Sequence, residues 1–437
     1  MKSKKNIILI SIKNTSRKTI GYLKLQLREL QTGGSLIFLR KIRSLFWKIR
    51  SLFFVILFLP AILITRILRP FIIIRFGVLR GDRIGHFAGN TEVYLSERDE
   101  AKHERNTFDL FYISTPICND QLKKMWERTL HISKYFEFFN IANLCLPGYK
   151  LHQAKSSSSD RDIHNLLVKT PPHLSFTKEE ERLGKNGLKK MGLADNEPFI
   201  CFIGRDSAYL KSVYPDRNMD YHNYRDMDIN NISPAINELI QRDYWAIRMG
   251  KTVKESFHIA DKKYVDYATK FRTDFLDIYL AANCSYFING MSGFVSVPSH
   301  LFRRPILHLN FVPMRYIHFW EKHSICIFKK LWLTEEHRFL TFSEILQSDI
   351  GIFLRSEEYK NAEIELIENT SEEIKAATIE IDDRIKGIWE TTEEDEELQR
   401  RFWGHFQEKD LKFVCQEKSE SLIRIGTEFL RQNRELL

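Results

Sequence analysis

The six cysteines, Cys118, Cys145, Cys201, Cys284, Cys326 and Cys415, form no Cys-x-x-Cys pair and no cysteine–histidine cluster. That spacing supplies neither a disulfide frame nor a zinc site and suits reduced, buried thiols. No G-x-G-x-x-G follows a strand-like run and no G-x-x-x-x-G-K-[ST] occurs, so dinucleotide dehydrogenases and P-loop NTPases lose their main support. With 12 Pro and 19 Gly in 437 residues, the chain is neither collagen-like nor dominated by linkers. Long apolar runs are also missing: the longest one free of charge, 52–65, has 14 residues and contains Pro60. A spanning helix needs roughly 20.

What is present is enough apolar material for real cores. Hydrophobic residues make up 43% and charged residues 28%, and the length suits two or three domains. The net charge of +9 is unevenly placed. Residues 1–90 hold 18 Lys/Arg against 2 Asp/Glu, while 356–437 hold 12 against 22. The basic excess therefore belongs to one segment, not to a folded nucleic-acid-binding face. Within it, residues 36–50 alternate apolar clusters (Leu36–Leu39, Leu45–Trp47) with Arg40, Lys41, Arg43, Lys48 and Arg50. A helix lying in the headgroup layer of a membrane needs this pattern: an apolar side to bury, an interfacial aromatic, and cations toward anionic lipid. Residues 36–65 thus read as a monotopic anchor on a cytoplasmic membrane face. A core helix with a basic surface is the alternative. The apolar run begins some fifty residues in, with no small-residue cleavage pattern after it, which argues against a signal peptide.

From Phe71 onward the pattern is α/β. FIIIRF (71–76), FDLFYIS (108–114), PFICFIG (198–204), YWAIRMG (244–250), SYFING (285–290) and PILHLN (305–310) read as strands. Between them, 91–100, 121–133, 178–193, 233–243 (Ser233 as N-cap) and 273–283 read as helices. Strand, helix, strand at this spacing implies parallel sheets with crossover helices. The expected architecture is two Rossmann-like, doubly wound domains, an acceptor domain at 70–195 and a nucleotide-sugar domain at 196–355. The basic segment 1–69 precedes them, and an acidic region at 356–437 without strands comes after them as surface helices.

In open α/β sheets ligands bind beyond the carboxyl ends of the strands, so the residues just after each strand carry the information. The second half offers Arg205, Asp206 and Ser207 after its first strand. Arg248, Gly250, Lys251 and Thr252 come at and after the next, and Gly290-Met291-Ser292-Gly293 after the third. Glycine turns let the backbone approach a ligand closely, Ser292 can donate, and the helix expected next would direct N–H groups at an anion. Taken singly, the 290–293 turn and Arg205–Asp206 could be a tight turn and an ion pair. Convergence of Arg205, Arg248, Lys251 and Ser292 on one sheet edge would favour a nucleotide or sugar-nucleotide site. Asp226-Met227-Asp228 has metal-chelating spacing but sits at a helix start, where acids favour the dipole. The neighbouring Tyr221, Asn223, Tyr224 and Arg225 could contact a base or sugar. In the first half, Asp82, Arg83, Gly85, His86 and Asn90 would face the same crevice, with His86 or Asp82 able to take a proton from an acceptor hydroxyl. His86 could equally be a satisfied structural histidine.

At RIGHFAGNTEVYL (83–95), FIGRDSAYL (202–210), HNYRDMDI (222–229), YWAIRMGK (244–251), DFLDIYLAANCSYFINGMSGF (274–294) and NTSEEI (369–374), the sequence resembles a family of glycosyltransferases found in bacterial O-antigen and other surface-polysaccharide loci. The resemblance covers about residues 70–390 and implies a GT-B architecture with the donor in the C-terminal domain. Arg205 is similar in placement to the phosphate-binding arginine of GT-B fucosyltransferases, and Ser292-Gly293 to their donor-pyrophosphate turn. The implied substrates are a nucleotide sugar and a lipid-linked glycan at a membrane surface. No divalent metal, resident cofactor or nucleic acid is implied. Tyr224, Arg225, Arg248, Gly250, Lys251, Gly290, Ser292 and Gly293 join Arg205 and Asp206 as candidate donor contacts. Arg205, His86 and Asp82 are the catalytic candidates. A non-catalytic nucleotide- or glycan-binding scaffold and an RNA-associated protein using the basic arm are the competing classes.

Overall fold

The computed structural model describes residues 53–100, 106–154, 161–254, 256–317, 321, 323–406 and 423–437. The described chain falls into two compact units: 53–76 with Tyr135–Gln153, and Gly77–Lys134 with Ala154–Leu437.

In the first unit, 53–67 is helical. One side of it packs on the helix Phe136–Leu144 through aromatic pairs, Phe54 on Phe138 (ring centroids 4.2 Å apart) and Phe58 on Phe139 (4.4 Å). The other side is a stripe at helical spacing, Phe53, Ile56, Leu57, Leu63, Ile64 and Ile67, and all of it is exposed, Ile56 by 64% and Ile67 by 72%. Apart from Thr65 and Arg66 the helix is therefore apolar all round, with half its surface uncovered, an arrangement that water alone does not favour. Among the described residues no helix is long and apolar enough to cross a membrane. Residues 36–52 of the expected anchor lie outside the described residues.

The second unit is built on a seven-stranded sheet. Its strands are β4 (Phe199–Gly204), β5 (Trp245–Arg248), β6 (Tyr264–Val265), β7 (Phe287–Gly290), β8 (Ile306–Phe311), β9 (Ile325–Phe328) and β13 (Arg424–Ile425). They lie in the order β13-β9-β8-β7-β4-β5-β6, every neighbouring pair parallel. All residues of β5, β7, β8 and β9 are buried, as strands covered on both faces require, and this is why they are mostly apolar in the sequence, with Arg248, Asn289, His308 and Asn310 as buried exceptions. Chain order reverses at β4, with β5 and β6 on one side and β7, β8 and β9 on the other. That reversal is the switch point where open α/β sheets leave a crevice.

The first half of the chain contributes less sheet than expected. β1 (Ile73–Leu79), β2 (Thr107–Ile113) and β3 (His131–Ile132) form a three-stranded sheet in that order. The helix expected over 121–133 is Asp120–Thr129, because Leu130 turns extended and its successors pair with β2. Ser233 opens its helix as the first residue and does not cap it; the side-chain cap nearby is Asp228, which accepts from the Asn230 N–H of the preceding 3-10 turn. The region 356–437, expected to lack strands, holds two among the described residues: β12 (Ile364–Ile367) and β13. β12 pairs antiparallel with β10 (Lys330–Leu333), which also pairs with β11 (Arg338–Phe339). β13 adds two residues to the edge of the main sheet, too short a run to leave a periodic signal. The long C-terminal helix is as anticipated, Ser371–Lys386, opened by a Thr370–Glu373 capping box and closed by Gly387 at φ +71°.

Asn369 ties this helix to the sheet. Its Oδ1 accepts from the Asn310 N–H and its N–H donates to Asn310 Oδ1, both at 2.7 Å, while Nδ2 donates to the Phe328 carbonyl at 2.8 Å. Both asparagines are buried, and Asn310 takes φ +55° at the β8 bend, a conformation asparagine tolerates. Asn369→Ala strands buried groups on two strands, so the unfolding free energy in a denaturant titration is expected to fall by about 3 kcal/mol.

Candidate active site

The parallel register sets Phe202 beside both Ile288 and Arg248, and Gly204 beside Gly290. The turns after β4, β5 and β7 therefore leave the sheet at one edge. There they line a cavity of about 280 Å³, joined by the turn after β1. The turn after β1 reaches it by close approach: a Cβ on Gly85 would stand 2.7 Å from the Gly293 carbonyl oxygen, so only glycine lets these two backbones meet.

Arg205 is held on the wall through both its backbone and its side chain. Its N–H donates to the Gly290 carbonyl (3.0 Å), and its own carbonyl accepts from Met227 N–H (3.2 Å). Its Nη1 pairs with the Asp226 carboxylate, leaving Nη2 buried without a partner among the described residues. The Asp226–Asp228 loop is fixed from behind. The buried Lys329 ammonium donates to the Asp226 carbonyl (2.6 Å), and Glu368 accepts from Asp228 N–H (3.0 Å). The Asp-x-Asp pair is thus occupied in holding Arg205 and in capping the turn that Asp228 opens.

Asp206 is an organiser of loops: its two oxygens accept from Ala208 N–H (2.8 Å) and Lys254 N–H (2.9 Å), joining the segments after β4 and β5. Lys251 reaches across to donate to the Cys118 carbonyl at 2.8 Å. His86 lines the wall at the start of a π-helical turn, His86–Asn90, an irregularity frequent at functional sites. Its Nδ1 lies 3.1 Å from Asn90 Oδ1; with the amide oxygen accepting there, the proton sits on Nδ1 and Nε2 keeps its lone pair.

The structure gathers His86, Arg205, Asp206, Arg225, Gly250, Lys251, Ser292 and Gly293 around this one cavity. Four other candidates stand off its wall. Arg248 is buried with its guanidinium over the Phe257 ring, 5.7 Å from the centroid. Tyr224 packs on Tyr359 and lines a separate shallow hollow. Gly290 is covered by Met227, whose Sδ would collide with an added Cβ. Asp82 accepts from the Tyr214 hydroxyl at 3.2 Å and has Arg80 3.8 Å away.

One expected device is absent from the turn after β7. Ser292 leads into a 3-10 turn, Gly293–Ser296, and then a π turn, not a helix of useful length. The N–H groups of Ser292, Phe294 and Val295 are already bound to Asn289 Oδ1, Ser292 Oγ and the Ser292 carbonyl. Ser292 Oγ serves as a cap acceptor. Anion-holding capacity lies instead with guanidinium groups: Arg83 and Arg225, like Arg205, carry buried nitrogens without a partner among the described residues. The positions not foreseen from sequence are Cys118, Tyr209 and Arg272. Arg272 sits on the wall but is engaged by Asp274 and Asp277. Tyr209 lies within the FIGRDSAYL stretch without being singled out there; Cys118 and Arg272 are brought in by the crossing of distant segments.

No family model and no curated protein matches the chain. Among solved structures, the Escherichia coli ADP-heptose LPS heptosyltransferase II is similar at 13% identity over 59% of this chain and 90% of that one, with a TM-score of 0.33. A glycosyl transferase family 9 protein from Veillonella parvula DSM 2008 is similar at 13% identity over 58% and 85%, with a TM-score of 0.36. Likenesses this distant leave the function to be argued from the residues.

Burial pushes the Cys118 thiol up to about 12, more strongly than the Lys251 ammonium draws it down, so it stays protonated at neutral pH. At pH 8, iodoacetamide is expected to alkylate Cys118 at least about tenfold more slowly than the exposed Cys145, read by peptide mass spectrometry.

Proposed function

We propose that the chain is a glycosyltransferase of the GT-B type that moves a sugar from a nucleotide-sugar donor to a lipid-linked glycan on the cytoplasmic face of a membrane. Its place would be the synthesis of a bacterial surface polysaccharide of the O-antigen class. The observation that carries this reading is the cavity at the β4–β7 switch point, where arginines with unsatisfied buried N–H groups stand on the same wall as a histidine holding a free ring nitrogen. Such a wall fits a ligand with a diphosphate at one end and a hydroxyl to be deprotonated at the other.

In this reading His86 Nε2 accepts the proton of the acceptor hydroxyl as its oxygen bonds to the sugar's anomeric carbon. The bond from that carbon to the diphosphate breaks, and the electron pair leaves with the nucleoside diphosphate. Arg205, fixed by Asp226, offers Nη2 to the charge that grows on the departing phosphate, the role a divalent metal plays in other transferases. Because its position is set before any ligand arrives, little reorganisation opposes the step.

The exposed apolar stripe of 53–67 supports the membrane placement, with Arg66 and Arg69 on the same segment and the basic run at 40–50 before it. It would hold the chain where a lipid-linked acceptor resides.

Arg205→Ala is expected to lower turnover by about a hundredfold or more with the far-ultraviolet circular dichroism unchanged; retained turnover would remove the phosphate role. Donor identity is reached by a thermal-shift panel of UDP, GDP, CDP, ADP and TDP, in which the cognate nucleotide raises the melting temperature. Placing aspartate at two stripe positions, Ile56→Asp with Ile64→Asp, is expected to cut co-sedimentation with vesicles containing anionic lipid at least about tenfold. Undiminished co-sedimentation would sink the anchor.

A further inference from the structure

We propose that Arg83, His222 and Arg225 form a phosphoryl-binding subsite at the cavity, next to the Arg205–Asp226 pair and separate from it. The proposal rests on the transferase reading for its biological ligand but not for its chemistry, which is that of a phosphate or diphosphate group.

The three residues come from two distant segments. Arg83 lies in the turn after β1, and His222 and Arg225 in the 3-10 turn Asp220–Arg225. Arg83 and Arg225 line the cavity. Arg225 Nη2 lies 3.1 Å from His222 Nδ1. A guanidinium only donates, so Nδ1 accepts and the imidazole proton sits on Nε2. His222 Nε2, Arg83 Nε and Arg225 Nε are then three buried N–H donors, none with an acceptor among the described residues. Every unsatisfied atom of the group is a donor, and neither arginine forms an ion pair among the described residues. A buried polar group left without a partner is costly, and three unpartnered donors on two neighbouring turns call for a ligand rich in oxygen.

The charge around them points the same way. Burial first, and after it the charges of Arg225, Arg205, Arg83 and Arg355, hold the His222 imidazole down to about 3, neutral at any physiological pH. His222 therefore supplies a hydrogen bond without adding a fifth positive charge. Its ring lies 3.9 Å from that of Tyr221, and Arg355 sits over Tyr221 at 5.4 Å, so the imidazole is held by stacking. The other wall cations differ: Lys251 is committed to the Cys118 carbonyl, and Arg272 is matched by Asp274 and Asp277. Unmet demand for an anion is left at Arg83, His222 and Arg225, beside the single open Nη2 of Arg205. A dianionic phosphoryl group there would satisfy the three donors and relieve the repulsion among the guanidinium groups.

The test is isothermal titration of the full chain with inorganic pyrophosphate. Arg83→Gln, Arg225→Gln and His222→Phe, the last keeping a ring on Tyr221, are each expected to weaken binding about tenfold or more with melting curves near wild type. His222→Gln, which keeps a neutral donor, is expected to recover part of the loss, a recovery that a packing role for the ring would not produce. A second titration distinguishes the source of the phosphoryl group, with the best-stabilising nucleoside diphosphate already bound. Exclusion of pyrophosphate assigns the subsite to the donor's diphosphate, and continued binding of inorganic phosphate assigns it to a phosphate on the acceptor. Unchanged pyrophosphate affinity in all three variants, with nucleotide binding lost in Arg205→Gln, overturns the subsite and leaves the transferase standing. A wild-type chain that binds neither pyrophosphate nor any nucleoside diphosphate overturns both.

Discussion

The register between β4 and β7 is the constraint on which the rest depends. Because Gly204 lies opposite Gly290, the two strands end level, and the chain can turn out of the sheet twice at the same height. The Arg205 N–H then closes onto the Gly290 carbonyl, and its carbonyl collects Met227, so one arginine links two strand ends and a loop. A slip of one residue would reverse which face each side chain occupies and move Arg205 off the wall. Long-range pairing between segments more than eighty residues apart thus decides where a single guanidinium points.

The electrostatic arrangement is uneven in a way packing alone does not require. Elsewhere in the second unit some arginines are closely matched: Arg242 meets Glu238, Asp382 and Asp383, and Arg431 meets Asp395. Around His222 four arginines gather with the Asp226 carboxylate as the close partner of one of them. Surplus charge of one sign in a partly buried place lowers stability, and it persists only because the surrounding framework is strong enough to hold it. Lys329 and Glu368 are part of that framework, since they fix the backbone on either side of Met227.

Much of the parallel sheet was legible because strands covered on both faces must be largely apolar, and PFICFIG, SYFING and PILHLN are, with Asn289, His308 and Asn310 as buried exceptions. The strand-end rule then identified Arg205, Asp206, Gly250, Lys251 and Ser292 as neighbours from residue order alone. The remainder stayed hidden because of the length scale of the signals. β13 is two residues long, and its place beside β9 is a tertiary fact. The helix expected after Ser292 failed because the hydroxyl and the Asn289 amide satisfy the turn locally, which residue identity does not reveal. Arg248 was placed at the site by its position in β5, but alternation along a strand sends consecutive side chains to opposite faces, and its own face is the one toward Phe257. Arg83 was expected at the crevice from its place after β1, but its partnership with His222 arises only when the turn after β1 and the turn at 220–225 are seen to share one neighbourhood.

The helix 53–67 and the segment Tyr135–Gln153 belong to one compact unit although nearly seventy residues separate them in sequence, most of them in the other unit. Phe54 and Phe58 cover Phe138 and Phe139. Cutting the chain after the helix to obtain a more tractable protein would therefore uncover two phenyl rings that remain behind, trading one sticky surface for another. A well-behaved shortened form would need polar replacements on the helix's outer stripe, with its inner face left intact.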